Sequence, residues 1–390
     1  MTPSSRRRFL AAGLALPAAS SASRYEEPQT IPRPAARPAP AAPVFRYKTL
    51  GKTGLKVTSV GFGCMITSDG SVVERAADIG ITYFDTARGY QGGNNERMVG
   101  AALKRKRKDI VLSTKTHAGT RDEALRDLDT SLKELGTDFV DIWYLHAKGS
   151  PSEVTSDLIE AQQAAKKAGK IRFAGVSTHG GQRELLPWLA KNPNVDVILT
   201  AYNFTMEPFM NSVIEEAQKA GKGIVAMKVM AGGLRRVQRT DPNYARLSRD
   251  GAMLSALKWV LSNPHVQTTI PSMTDMDQLD DNLKAMAETF GDTDRKLLAM
   301  QMQRIGSSYC RMCGLCDGQC RQGLPVADVL RFLTYADGYG QFGLARERFQ
   351  ELKPAHASVK CGDCPGCTVQ CPYGVNVTGR LSRAQELFAC

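Results

Sequence analysis

Cys310, Cys313, Cys316 and Cys320 place four thiols in eleven residues, and Cys361, Cys364, Cys367 and Cys371 repeat the same spacing about forty residues later. Three kinds of chemistry use thiols grouped in this way: iron-sulfur centres, zinc knuckles and disulfide frameworks. Eight of the ten cysteines sit in these two short loops, and the 245 residues between Cys64 and Cys310 carry none, which is a poor disulfide framework. Zinc usually takes its thiolates as two separate CxxC pairs, whereas here three thiols recur at every third position and a fourth follows. A single loop of that kind wraps one face of a cube.

The run resembles the bacterial ferredoxin motif, including a proline after its last cysteine in the second copy (Pro372); the first copy has Arg321 there. That resemblance implies two [4Fe-4S] clusters, the first three cysteines of each run holding one cluster and the fourth reaching across to the other. Between the runs, "VADVLRFLTYADGY" and "LARERFQEL" repeat apolar residues at three and four, the helical period. This segment resembles the helical ferredoxin modules of respiratory electron-transfer subunits. Residues 291–390 are therefore expected to exchange electrons with a donor or acceptor that the sequence does not identify.

The rest of the chain must position a second chemistry. Eight short runs rich in β-branched residues (57–63, 83–86, 109–115, 139–146, 172–178, 195–200, 223–229 and 266–271) alternate with helical patterns. Strict alternation implies a parallel sheet, and eight units favour a closed (β/α)8 TIM barrel over residues 45–290, followed by the small helical module. A doubly wound sheet would carry a G-x-G-x-x-G turn after its first strand, and none is present. Barrel chemistry sits where strands end. Asp85 closes the second run, with Tyr90 five residues on; Lys115 closes the third and His146 the fourth.

These four residues, with the opening "YKTLGKTGLKVTSVGFG", resemble the aldo-keto reductase family from about Phe45 to Met286. The resemblance implies hydride transfer between a nicotinamide cofactor and a small carbonyl or alcohol, with Tyr90 donating the proton. Lys115 is expected to favour the phenolate, Asp85 to keep Lys115 charged, and His146 to position the carbonyl. The matching nicotinamide positions are Ser177, Thr178 and Met227, where Thr178 replaces an asparagine and Met227 a stacking tyrosine. Leu199 falls where a glutamine is usual. Ser272 and Gln278 fall where basic residues hold a 2′-phosphate, Asp281 and Asn282 close the motif, and a strong NADP preference is not expected. Lys228, Arg235, Arg236 and Arg239 are the candidate substitutes for phosphate charges.

The N-terminus orders Arg6 and Arg7, a short apolar run and small residues near Ala19 to Ala22, which resembles a twin-arginine export signal over residues 1–23. A Pro/Ala-rich linker, 24–44, follows. These segments predict export to the periplasm or cell exterior, with membrane association only if the signal is retained. The net charge of +12 is scattered, so nucleic-acid binding is not expected. No apolar run is long enough for a multi-span protein. Nicotinamide nucleotides are scarce outside the inner membrane, so the clusters offer the barrel another electron route. A catalytically silent barrel carrying an electron-transfer module is the alternative. Cys64 is expected to pack in the first strand, and Cys390 has no assigned role.

Overall fold

The computed structural model describes residues 44–206, 208–232 and 251–388. The signal-like segment, nearly all of the linker, Arg235, Arg236, Arg239 and Cys390 lie outside them. The described residues belong to one unit, Pro43–Cys390. Among them, no helix is long and apolar enough to cross a membrane.

An antiparallel hairpin, β1 (Tyr47–Thr49) and β2 (Lys56–Thr58), precedes eight parallel strands. These are β3 (Phe62–Gly63), β4 (Tyr83–Asp85), β5 (Val111–Thr116), β6 (Val140–Leu145), β7 (Ile171–Thr178), β8 (Val197–Ala201), β9 (Gly223–Met227) and β10 (Thr268–Thr269). They pair in chain order, and parallel bridges Val60 to Thr269 and Gly63 to Ser272 close the sheet into the expected barrel. The first predicted run, 57–63, divides: its start pairs with β1, and its end enters the barrel. The chain turns between the two pairings, where the Ser59 amide donates to the Arg46 carbonyl and the Gly61 amide to the Thr269 carbonyl.

Apolar side chains fill the barrel interior, including Tyr83, Ile142, Tyr144, Leu199 and Val225, and Leu50, Leu55 and Val57 of the hairpin pack against them. Apart from Arg172 and Phe173 near the start of β7, every residue of the eight parallel strands is buried, which explains the near-continuous apolar runs. Gly175 is required here, because a Cβ would lie 2.4 Å from the Tyr144 ring. The hydroxyls of Tyr83 and Tyr144 meet at 2.8 Å within the core. A second apolar shell joins the strands to the surrounding helices. These helices are α1 (Gly70–Ile79), α2 (Asn94–Leu103), α3 (Arg121–Leu135), α4 (Ser156–Lys167), α5 (Gln182–Lys191), α6 (Phe209–Lys219), α7 (Ala252–Leu261) and α8 (Met276–Ala287). Side chains of Asp69, Thr120, Thr155 and Asp275 cap α1, α3, α4 and α8.

Beyond the barrel, α9 (Asp292–Ile305) packs on α7, where Asp294 accepts from Ser255 and Lys258. The thiol-bearing segment follows, with α10 (Val326–Asp337), α11 (Phe342–Gln350), α12 (Pro354–Ala357) and α13 (Val377–Phe388). Its own apolar core contains Val329, Leu333, Phe349, Leu381 and Phe388. It is seated on the barrel's C-terminal face. Arg348 donates to the Gly89 carbonyl at 2.9 Å, Tyr309 accepts from Asn203 at 3.3 Å, and Met312 packs with Ala201 and Ala231.

Candidate active site at the barrel mouth

Register brings Asp85 and Lys115 together, since β4 and β5 are neighbours and both residues lie at the carboxyl ends of their strands. Lys115 Nζ donates to Asp85 Oδ2 at 2.5 Å, to the Thr86 carbonyl at 2.7 Å and to Tyr90 Oη at 3.4 Å. The other Asp85 oxygen accepts from Ser113 at 2.7 Å. Both partners of the ion pair are buried. Tyr90 comes from a loop that is itself pinned. The Arg88 amide donates to the Lys115 carbonyl at 3.0 Å, and the Arg88 side chain pairs with Glu96, which also accepts from Thr114 at 2.6 Å. Gly93 turns this loop at φ 89°, and a Cβ there would collide with the Arg88 guanidinium.

Electrostatics separates the members of this chain. Burial opposes the Lys115 charge, but Asp85 and Tyr90 outweigh it and raise the pKa, so the ammonium persists. Burial raises Asp85 as well, against the pull of Lys115. With a carboxylate and an ammonium in contact, we take the pair as ionised. Tyr90 differs from the expectation of a favoured phenolate. Burial raises its pKa and outweighs Lys115, so the resting group is a neutral phenol.

His146 follows β6, with its ring edge-on to Tyr90 at 6.0 Å between centroids. Burial holds its pKa well below the ordinary imidazole value, and its Nδ1 has no hydrogen-bond partner. Two further histidines, absent from the sequence-based site, sit beside it. His117 stacks on His146 at 3.9 Å, and His179 lies 6.4 Å away. Their signal was positional, since His117 and His179 immediately follow β5 and β7.

A cavity of about 340 Å³ opens at this mouth and is lined by Asp85 and Tyr90 together with Met227, Lys228, Ser272, Gln278 and Asn282. The candidate cofactor residues Met227, Lys228, Ser272, Gln278 and Asn282 therefore share one space with the candidate proton donor. Ser177 and Thr178 are turned to other work. Ser177 Oγ accepts from the Ala147 amide at 2.9 Å, and Thr178 Oγ1 donates to the Gly180 carbonyl at 2.6 Å. His179 takes their place in the lining. Gly338 and Tyr339, from the thiol-bearing segment, form the opposite wall. No local pattern marks Tyr339 as a site residue.

The two cysteine runs interleave in space. Cys310, Cys313 and Cys316 line one small cavity with Cys371, walled by Ala327, Leu330, Val375 and Val377. Cys361 is in turn influenced by Cys320, Cys364 and Cys367. None of the nine described cysteines is in a disulfide. Burial and then neighbouring thiols push Cys310 up to about 12. Among the described residues, no three histidine, cysteine or acidic side chains form a group suited to a metal ion. Cys64 is buried, and its amide donates to the Asp85 carbonyl at 2.8 Å.

Comparison with known proteins agrees with this geometry. Residues 68–299 match the aldo/keto reductase family. L-galactose dehydrogenase of Arabidopsis thaliana is 27% identical over 63% of this chain and 89% of its own. The uncharacterized oxidoreductase YqkF of Bacillus subtilis is 27% identical over 66% and 96%. In fold, the chain is similar to the aldo-keto reductase AKR11C1 from Bacillus halodurans, with TM-score 0.57 and 24% identity over 66% of this chain and 96% of that one. With its closed parallel barrel and an Asp, Tyr and Lys joined at the mouth, the chain belongs to the aldo/keto reductase family.

Proposed function

We propose that this oxidoreductase reduces a small-molecule carbonyl, or oxidises the corresponding alcohol, with Tyr90 as its acid-base residue. The observation that carries this reading is the Asp85, Lys115 and Tyr90 chain ending on the mouth cavity. Tyr90, a neutral phenol at rest, donates its proton to the carbonyl oxygen as negative charge builds there. Lys115 stabilises the phenolate that remains, and Asp85 holds the ammonium in place. His146, neutral, orients the carbonyl beside Tyr90. Members of the family use NAD(P)H, which supplies the hydride when bound. Met227, Lys228, Ser272, Gln278 and Asn282 would line its site. Gln278 bonds to Thr274 and Asp275, and neither it nor Ser272 carries a charge for a 2′-phosphate, so NADP is not strongly preferred.

The proposal extends to the cysteines and the N-terminus. Cys310, Cys313, Cys316 and Cys371 would hold one [4Fe-4S] cluster, and Cys361, Cys364, Cys367 and Cys320 the other. Each thiolate of such a cluster binds its own iron, so the donors surround a cube and do not converge on one ion as they would around zinc. Clusters of this type supply one-electron storage. Mutually crowded, buried thiols are costly as free thiolates, and cationic iron would relieve that cost. The twin-arginine-like segment supports export after cytoplasmic assembly.

Full-length protein and its Tyr90→Phe variant, assayed anaerobically with NADH or NADPH and a panel of aldehydes and ketones, test the enzyme reading. A loss of roughly 10²–10⁴-fold in carbonyl reduction is expected from removing the proton donor. Equal and negligible rates for both proteins would instead favour a barrel serving as scaffold.

A further inference from the structure

Tyr335, on α10 of the thiol-bearing segment, is 3% exposed and stands between two cations. From its own helix, Arg331 donates to its hydroxyl at 2.9 Å and to Asp328 at 2.6 Å. From the barrel, Lys228 Nζ lies 4.5 Å from the centroid of its ring and reaches toward its hydroxyl. Positive charge on both sides favours the ionised form of a phenol. Burial opposes it, but Arg331 and Lys228 outweigh burial and bring Tyr335 down to about 8. Burial lowers the pKa of Lys228 in turn, and Tyr335 is the first group to oppose this. Charges thus alternate across the junction: Asp328, Arg331, Tyr335 and Lys228 lead to Asp85, on which Lys228 acts, and Asp85 leads to Lys115 and Tyr90. Tyr335 also acts on Tyr90 itself, raising its pKa, and on the phenols of Tyr339 and Tyr309.

We propose that Tyr335 is a positioning residue of the reductase site, supplied by the thiol-bearing segment: as a phenolate between Arg331 and Lys228, it holds the Lys228 ammonium at the mouth and keeps the proton on Tyr90. A negative charge near Tyr90 disfavours a second one. Tyr90 is then kept as the acid that carbonyl reduction needs, and kept from the phenolate that alcohol oxidation needs. Ionisation of Tyr335 therefore biases the site toward reduction. Tyr339 stacks on Tyr335 at 5.8 Å between centroids and lines the cavity with Lys228 and Tyr90, so one segment carries both this charge and a wall of the site. The inference rests on the reductase reading for its effect on rate, and not for the ionisation of Tyr335.

Tyr335→Phe in the full-length protein tests it, because the ring stays and only the hydroxyl goes. Ultraviolet pH titration, read as wild type minus Tyr335→Phe, should show one tyrosine ionising near pH 8, below an ordinary phenol, and Arg331→Met should move that step up. Wild type minus Tyr90→Phe reports Tyr90, and its step should fall by roughly half a unit or more when both proteins also carry Tyr335→Phe. Oxidation of the alcohols that match the aldehyde and ketone panel supplies a kinetic reading. The ratio of kcat/KM, Tyr335→Phe over wild type, should rise about threefold or more between about pH 7 and about pH 9, because half a unit is about a threefold change in Tyr90 phenolate. A residue with a packing role alone would change the rate alike at every pH. Moved spectral steps in a protein that reduces no carbonyl would keep the hold of Tyr335 on Tyr90 and remove the reductase reading. A Tyr335 step at the ordinary phenol position, or a Tyr90 step that Tyr335→Phe leaves unmoved, would overturn the inference, as would an oxidation ratio that stays flat with pH.

Discussion

The Asp85 and Lys115 side chains show how a buried ion pair serves chemistry more than stability. Each is less than 5% exposed, so neither charge can be screened by water. Replacing Lys115 with Met leaves Asp85 buried and unpaired, with an expected loss of about 3–5 kcal/mol. The double variant Asp85→Asn, Lys115→Met should recover much of that stability in urea unfolding while reduction stays abolished. His146 supplies a pH signature. Its folded-state pKa lies well below the unfolded value of about 6.5, so the unfolded chain binds the proton more readily. Stability is then full above about pH 6.5 and declines as the pH falls below it, by at most about 1.4 kcal/mol per unit from this group. Urea midpoints between pH 7.5 and 5 should fall less steeply in His146→Gln than in wild type.

At the scale of elements, the helix over the mouth is the feature on which the site depends most. Gly338 follows α10, and a Cβ there would lie 2.3 Å from the Gly232 carbonyl. Gly338→Ala should force the helix away from the barrel, costing about 1–3 kcal/mol by overpacking. Limited proteolysis should then release a C-terminal fragment from the variant sooner than from wild type; identical cleavage rates would argue against a tight seat. The alternation of strand and helix was legible in the sequence because burial on both strand faces writes continuous apolar runs. Asp85, Lys115 and His146 were legible because strand ends are countable. Tyr339, nearly 250 residues from Tyr90, was not, since only tertiary packing places it there. Nor could sequence disclose that Thr178 spends its hydroxyl on the Gly180 carbonyl, or that burial would outweigh Lys115 at Tyr90.

For the whole molecule, the interleaving of the two cysteine runs makes a prediction that separates iron-sulfur chemistry from its alternatives. Cys371 lies with Cys310, Cys313 and Cys316, although it is closest in sequence to Cys361, Cys364 and Cys367. If each run bound its own centre, Cys371→Ser would damage the second site; with crossed ligands it damages the first. Anaerobically purified wild type should be brown, with visible absorbance that a chemical reductant bleaches. Cys371→Ser and Cys313→Ser should each lose about half the iron, and their double variant should lose no more than either alone, because both substitutions strike the same cluster. Cys371→Ser with Cys364→Ser should instead lose nearly all of it. Colourless protein containing zinc would replace the cluster assignment, and iron loss that follows the runs in sequence would show that the ligands do not cross. Adding NADH to the brown protein then asks whether barrel and clusters share electrons: bleaching would tie the mouth cavity and the thiol centres into one redox unit, whereas clusters that only a chemical reductant bleaches would separate them.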